Sequence, residues 1–255
     1  MAVTSASGCP GGRPRDCAFA VCLLLCHDHH NWPSQIWPRA GGQVKLLHVV
    51  ATPRGEQSST LRVSAAFVES LRAQHADMTV DVVDLYNHDL PAVAGDNIKA
   101  KYTLMIGQPI DRNHVESWSQ IESLIEHFLS ADAYLISTPM WNLSIPYALK
   151  YYIDCIIQPG YVFRYDEIGQ VVPLVHGKRM ICVTSRGGDY APASPMHAYD
   201  FQEPYLRAIF GFIGITDVEF INAEPMDIAP DMREAAVSVA IEAARNLATR
   251  RVGVA

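Results

Sequence analysis

The sequence predicts a doubly wound α/β domain, a parallel sheet of five strands with helices on both faces. Three observations predict it. Apolar runs containing β-branched residues recur along the chain, and segments with apolar residues at helical spacing separate them. The length of 255 residues with 49% apolar content supplies one sizeable α/β core.

VKLLHVVAT (44–52) is a continuous apolar run of the kind that forms a buried parallel strand. PRGEQSST turns from it into a helix at about 59–75, in which Leu61, Ala65 and Val68 define one face and Leu71 continues the rhythm. TVDVVDL (79–85) is the second strand. Residues 86–112 read as a long polar connection with a short apolar piece around Tyr102–Ile106, longer than an ordinary connector and therefore a loop or cover over an active site. The clearest helix comes next: Val115, Trp118, Ile121, Ile125 and Phe128 form its inward stripe, and Glu116, Glu122 and Glu126 fall elsewhere. AYLISTP (133–139) is the third strand, and a helix starts near Pro146, an allowed first-turn residue, and runs to about 157. A polar hairpin-like piece is expected around Tyr161–Val172. KRMICVTS (178–185), a helix over about 203–212, DVEFINAE (217–224) and a closing helix over 232–247 complete the pattern. Five strands separated by four main helices, with a fifth helix last, build a flavodoxin-like sandwich whose right-handed crossovers cover both sheet faces.

The formal net charge is −7, with no Lys/Arg-rich stretch, which argues against a nucleic-acid binder. No apolar run reaches the length of a membrane span. Residues 1–43 differ from the remainder: three arginines against two aspartates give a net of +1, while 17 cations and 25 carboxylates elsewhere give −8. Four of the six cysteines (Cys9, Cys17, Cys22, Cys26) lie in this leading segment. Its Arg13 and Arg15 before CAFAVCLLLC look like the start of a secretory signal, but no small-residue cleavage site follows. Its Cys22, Cys26, His27, His29 and His30 lack the paired spacing of a metal site. The expectation is a poorly ordered extension over 1–43, outside the functional unit, followed by one domain over 44–255. Cys155 and Cys182 stand in apolar runs and read as core thiols, so the body belongs to a reducing, cytoplasmic setting.

In such a fold ligands bind beyond the carboxyl ends of the strands. The loop after the first strand has neither G-x-G-x-x-G nor a Walker Gly-Lys-Ser/Thr, which argues against a dinucleotide pocket and a P-loop. Its Ser58, Ser59 and Thr60 coincide with the helix start, where free N–H groups suit a phosphate and where a serine also serves as an ordinary N-cap. After the third strand, Trp141 and Asn142 between Met140 and Leu143 offer one side of a flat ring, or a core or dimer contact. After the fourth, Gly187 and Gly188 allow close approach of a ligand to the backbone, or form a plain turn. Together the three loops match the phosphate, ribityl chain and planar ring of a phosphorylated isoalloxazine.

The Ser-rich loop (58–60), PMWNL (139–143), YYID (151–154), GYVFRY (160–165), TSRGG (184–188) and FGFIGITD (210–217) appear in that order. On them the chain resembles the FMN-dependent NADH:quinone oxidoreductases, or azoreductases, over about Lys45 to Leu247. The resemblance implies bound FMN held by Thr52, by Ser58 and Thr60 with the Ser59 backbone between them, by Met140, Trp141, Asn142 and Leu143, and by Ser185, Arg186, Gly187 and Gly188. In the family's Met-Tyr-Asn-Phe loop, Trp141 keeps a ring and Leu143 removes one. Tyr165 resembles a family aromatic on the substrate face.

The same resemblance implies a ping-pong reaction in a homodimer. NADH delivers hydride to flavin N5 and leaves; a quinone then takes two electrons to become a quinol, or an azo compound is cleaved to amines over two cycles. The cofactor carries the chemistry, so no catalytic side chain and no metal are expected. The helix bearing Tyr147, Tyr151 and Tyr152 would supply dimer surface. His197 is either a proton donor or a structural histidine, and Arg54 and Arg186 are the candidates for meeting a nicotinamide 2′-phosphate. The alternatives are a flavin reductase for nitroaromatics, chromate or free flavin, and a flavodoxin-like electron carrier.

Overall fold

The computed structural model describes residues 44–110 and 115–250, without the side chains of 115–117. Its strands are β1 (Lys45–Val50), β2 (Thr79–Asp84), β3 (Ala133–Pro139), β4 (Phe163–Tyr165), β5 (Val171–Pro173), β6 (Arg179–Ser185) and β7 (Asp217–Ala223). Five of them form one parallel sheet in the order β2-β1-β3-β6-β7, as the sequence pattern predicts. The central strands β3 and β6 are buried up to their last residue, whereas the edge strand β2 leaves Val82 56% exposed. β4 and β5 are a separate antiparallel hairpin, at the place the sequence indicated.

Helices α1 (Ser59–Gln74) and α6 (Pro230–Thr249) share one face of the sheet, where Val63, Phe67, Val237 and Ala244 pack against Leu46, Leu135 and Ile181. The opposite face carries α3 (Val115–Leu129), α4 (Tyr147–Ile156) and α5 (Glu203–Ile213) on Leu47, Tyr134 and Met180. Cys155 and Cys182 lie fully buried here, and burial raises both thiols, Cys155 to about 12. The α3 stripe is as read for Trp118, Ile121, Ile125 and Phe128; Val115 lies among the side chains not described. Tyr161 pins the chain just before the β4–β5 hairpin to this helix, donating its hydroxyl to Glu122 (2.7 Å) and accepting from Trp118 Nε1 (3.2 Å).

Three details correct the sequence reading. The connection over 86–112 contains a further helix, α2 (Asp96–Met105), which had no inward stripe to betray it: only Asn97 and Ala100 are buried, and Tyr102 and Met105 face outward. In α1 the buried residues are Thr60, Val63, Ser64, Ala66, Phe67, Val68 and Leu71, so Val68 and Leu71 face inward as read, while Leu61 is half-buried and Ala65 exposed. Two hydroxyl residues, Thr60 and Ser64, occupy inward positions in the first turns, so apolar periodicity misplaced only the start of the stripe. Pro146 precedes α4 as its N-cap, with extended backbone (φ −60°, ψ 150°), and is not its first helical residue. The extension expected over 1–43 lies outside the described residues.

Candidate functional site

The strand order reverses between β1 and β3, so the loops after these strands lead to helices on opposite faces, the place where folds of this type bind ligands. At the end of β1, Thr52 is buried (3% exposed), and a single 3-10 turn, Gly55–Gln57, delivers the chain to Ser58. Ser58 is the N-cap of α1: its hydroxyl accepts from Leu61 N (3.3 Å) and its carbonyl from Arg62 N (3.1 Å). Capping therefore satisfies the third and fourth amides. The first two, from Ser59 and Thr60, donate to no acceptor among the described residues. The Ser58 cap is as read, and it leaves untouched the two amides that an anion would need.

Thr60 is buried, and its Oγ1 lies 2.8 Å from Ser185 Oγ at the end of β6. Ser185 is in turn joined to the loop after β3, its carbonyl accepting from Met140 N at 2.8 Å. Three loops far apart in the chain thus meet through Thr60, Ser185 and Met140.

The loop after β3 reverses in two residues. Trp141 and Ser144 exchange backbone hydrogen bonds (2.9 and 3.0 Å), with Asn142 at φ 48° and Leu143 at φ 69° between them. A leucine held left-handed costs about 1–2 kcal/mol. The loop is braced by Phe201 N, which donates to Leu143 O (3.0 Å), and by Gln202 Nε2, which donates to Pro139 O (2.9 Å). Trp141 stays 37% exposed and meets Tyr86 (6.3 Å) and Tyr147 (6.5 Å), which lie edge-on to each other at 5.8 Å. Tyr86, just beyond β2, was missed in the sequence. Its covered hydroxyl has no partner among the described residues, and burial pushes it up to about 12.

In the loop after β6, backbone and side chain part ways. The Arg186 guanidinium is 1% exposed and spent on Thr184 Oγ1 (3.1 Å), Asp200 (3.0 Å), Glu203 (3.4 Å) and Glu224 (3.8 Å). The amides of Gly187 and Gly188 donate to no acceptor among the described residues. Gly187 has a steric reason to be glycine: a Cβ there would stand 2.2 Å from Asp227 Oδ2. Met226 N and Asp227 N hold the Gly187 carbonyl from the far side, each at 3.0 Å. Tyr165 stands on β4, 41% exposed, with its ring against Phe163 (5.7 Å). Among the described residues no hydrogen bond or ring contact joins it to the three loops. His197 Nδ1 pairs with Tyr190 O (2.9 Å), which leaves the other ring nitrogen outward.

The family model for the flavodoxin-like fold matches residues 44–248. The chain is 39% identical over 204 residues to an FMN-dependent NADH:quinone oxidoreductase of Nitratidesulfovibrio vulgaris, covering 80% of this chain and 97% of the relative. The chain belongs to the family of FMN-dependent NADH:quinone oxidoreductases and azoreductases. Solved members agree in shape. An azoreductase of Bacillus anthracis superposes with a TM-score of 0.72 at 29% identity over 81% of this chain and 99% of its own. An FMN-dependent NADH-azoreductase of Bacillus anthracis str. Ames Ancestor, solved in complex with FMN, gives 0.70 at 28% identity over 81% and 100%.

The residues present fit a flavin phosphate and ring. The unpaired amides at the start of α1 and in the Gly187–Gly188 loop supply only donors, and an exposed tryptophan lies between them in the chain. No helix among the described residues is long and apolar enough to cross a membrane.

Proposed function

We propose that this chain is an FMN-dependent oxidoreductase that takes hydride from NADH and reduces quinones by two electrons, and that it cleaves aromatic azo compounds by the same route. The observation that carries the reading is the junction of Thr60, Ser185 and Met140, which gathers three donor-bearing loops at the strand-order reversal. When bound, FMN supplies a two-electron centre that accepts hydride from the nicotinamide and passes it to the acceptor.

The chain's own residues bind and orient. The Ser59 and Thr60 amides, with the dipole of α1 and the Thr60 and Ser185 hydroxyls, hold the phosphate dianion without a buried cation. Thr52 and Ser58 line the same end. Met140, Trp141, Asn142 and Leu143 flank one side of the ring. The Gly187 and Gly188 amides would stabilise negative charge on the pyrimidine side of the reduced ring, with the Arg186 backbone beside them. Tyr165 is assigned to stacking on the acceptor. The Arg186 guanidinium is committed to carboxylates, so of the two arginines considered for a 2′-phosphate only Arg54 remains.

We also infer a homodimer, through α4. Tyr147 (70% exposed) and Tyr151 (36%) offer apolar surface there, whereas Tyr152, expected on the same surface, is buried in the core. Light scattering of the purified chain tests the assembly.

The functional test is the absorption spectrum of the purified chain, followed by anaerobic NADH addition and then benzoquinone or an azo dye. The expected result is a flavin spectrum bleached by NADH and restored by either acceptor. A colourless protein after FMN addition overturns the reading. Efficient turnover of a nitroaromatic with none of quinone moves the chain to a different acceptor class.

A further inference from the structure

From the Thr60 carbonyl, a line of polar side chains crosses from α1 into the sheet. Ser64 Oγ lies 3.0 Å from the Thr60 carbonyl and 2.5 Å from Ser137 Oγ on β3; Ser137 Oγ lies 2.7 Å from His48 Nε2 on β1. Ser64 and Ser137 are fully buried, among Leu46, Val63, Leu135 and Ile181, where apolar side chains would pack at no polar cost.

Donor and acceptor bookkeeping sets the direction of every link. A carbonyl oxygen has no proton to give, so Ser64 donates to Thr60 O. Ser64, its one proton used, accepts from Ser137, and Ser137 in turn accepts from His48 Nε2–H. His48 is therefore the Nε2–H tautomer, and burial, which lowers its imidazole to about 4, keeps it neutral at pH 7. The Ser64-to-Thr60 bond alone is a local helical contact. Ser137 and His48 are what tie it to two strands of the sheet.

We propose that His48, Ser137 and Ser64 form a positioning chain that sets the height and rotation of the first turn of α1, so that the Ser59 and Thr60 amides and the Thr60–Ser185 hydroxyl pair register on the flavin phosphate. Apolar packing by Val63 and Phe67 is non-directional and tolerates small slips, whereas hydrogen bonding to an anion weakens steeply with misplacement. A directional tether beneath the helix start supplies what the packing lacks.

The inference rests on the phosphate lying at the start of α1, and the test separates the two. The full chain, freed of flavin, is titrated with FMN and with riboflavin, which lacks the phosphate, in the wild type and in Ser64→Ala, Ser137→Ala and Ser137→Thr. The wild type is expected to prefer FMN. Ser64→Ala and Ser137→Ala should lose about tenfold of that preference with riboflavin affinity unchanged, and Ser137→Thr, which keeps the hydroxyl, should restore it. Thermal melting identifies any variant that fails to fold; Ser64→Ala, in a helix, is the conservative choice. If folded alanine variants keep the wild-type FMN-to-riboflavin ratio, or lose both ligands equally, the positioning chain is overturned while the phosphate site stands. A wild type that binds riboflavin as tightly as FMN overturns both.

Discussion

Thr60 Oγ1 and Ser185 Oγ stand 2.8 Å apart although 125 residues separate them in the chain. The contact joins the first turn of α1 to the end of β6, and it is possible because parallel strands bring all their carboxyl ends to one edge of the sheet. Ser185→Ala leaves the buried Thr60 hydroxyl without this partner, a loss of about 1–3 kcal/mol. Urea unfolding of the flavin-free chain should show that loss, and FMN titration should show affinity falling about tenfold.

Arg186 is held by three carboxylates and is itself 1% exposed. Arg186→Met strands Asp200 as a buried charge beside the half-buried Glu224 and should cost about 3–5 kcal/mol in denaturant unfolding. Arg186→Lys should recover little of this, because an ammonium cannot span the fork that reaches Asp200 and Glu203 together. A variant as stable as the wild type would show that the cluster does not hold the loop.

Gly187 faces Asp227 so closely that alanine and the carboxylate cannot coexist without movement. Gly187→Ala should weaken FMN binding by about tenfold. Asp227→Ala should relieve it, because the offending atoms are Asp227 Oδ2 and Cγ (2.2 and 2.9 Å) while its Cβ sits at 3.6 Å. A double-mutant cycle on FMN affinity reads the coupling directly.

His48 sets a pH dependence. Its imidazole ionises near 4 in the fold against 6.5 in the open chain. Between these values the unfolded chain takes up a proton that the folded chain does not. Stability from this group is therefore complete above about 6.5, falls by up to about 1.4 kcal/mol per unit as pH drops, and levels off below about 4. His48→Val should flatten that part of the curve, as measured by urea midpoints at pH 7.5 and 5.5.

The site was legible where a residue's role comes from its local setting. Ser58 as a cap and the open backbone of Gly187 and Gly188 are consequences of neighbours in sequence, whereas the tight turn at Asn142 and Leu143 was not read there. Arg186 was read in its motif as a cofactor residue; its carboxylate partners come from 14, 17 and 38 positions downstream, and no spacing rule links them. His48, Ser64 and Ser137 left one trace, a polar residue inside an apolar run or stripe, which alone does not say what it bonds. Tyr86 was hidden in a polar connector, and Tyr152 was grouped with outward tyrosines because an aromatic-rich helix shows its inward side only once packed.

The sequence by itself determined the order of the sheet strands and of every helix but α2, the crossover pattern and the three loops that extend β1, β3 and β6. These depend on period-two and period-3.6 patterning and on turn chemistry, which act over a few residues. Only the tertiary structure decided which way Arg186 turns, that Thr60 meets Ser185, and that a histidine and two serines lie beneath the start of α1. Those are pairings between distant segments, created when the sheet closes and buried polar groups must find the partners that the packed core leaves within reach.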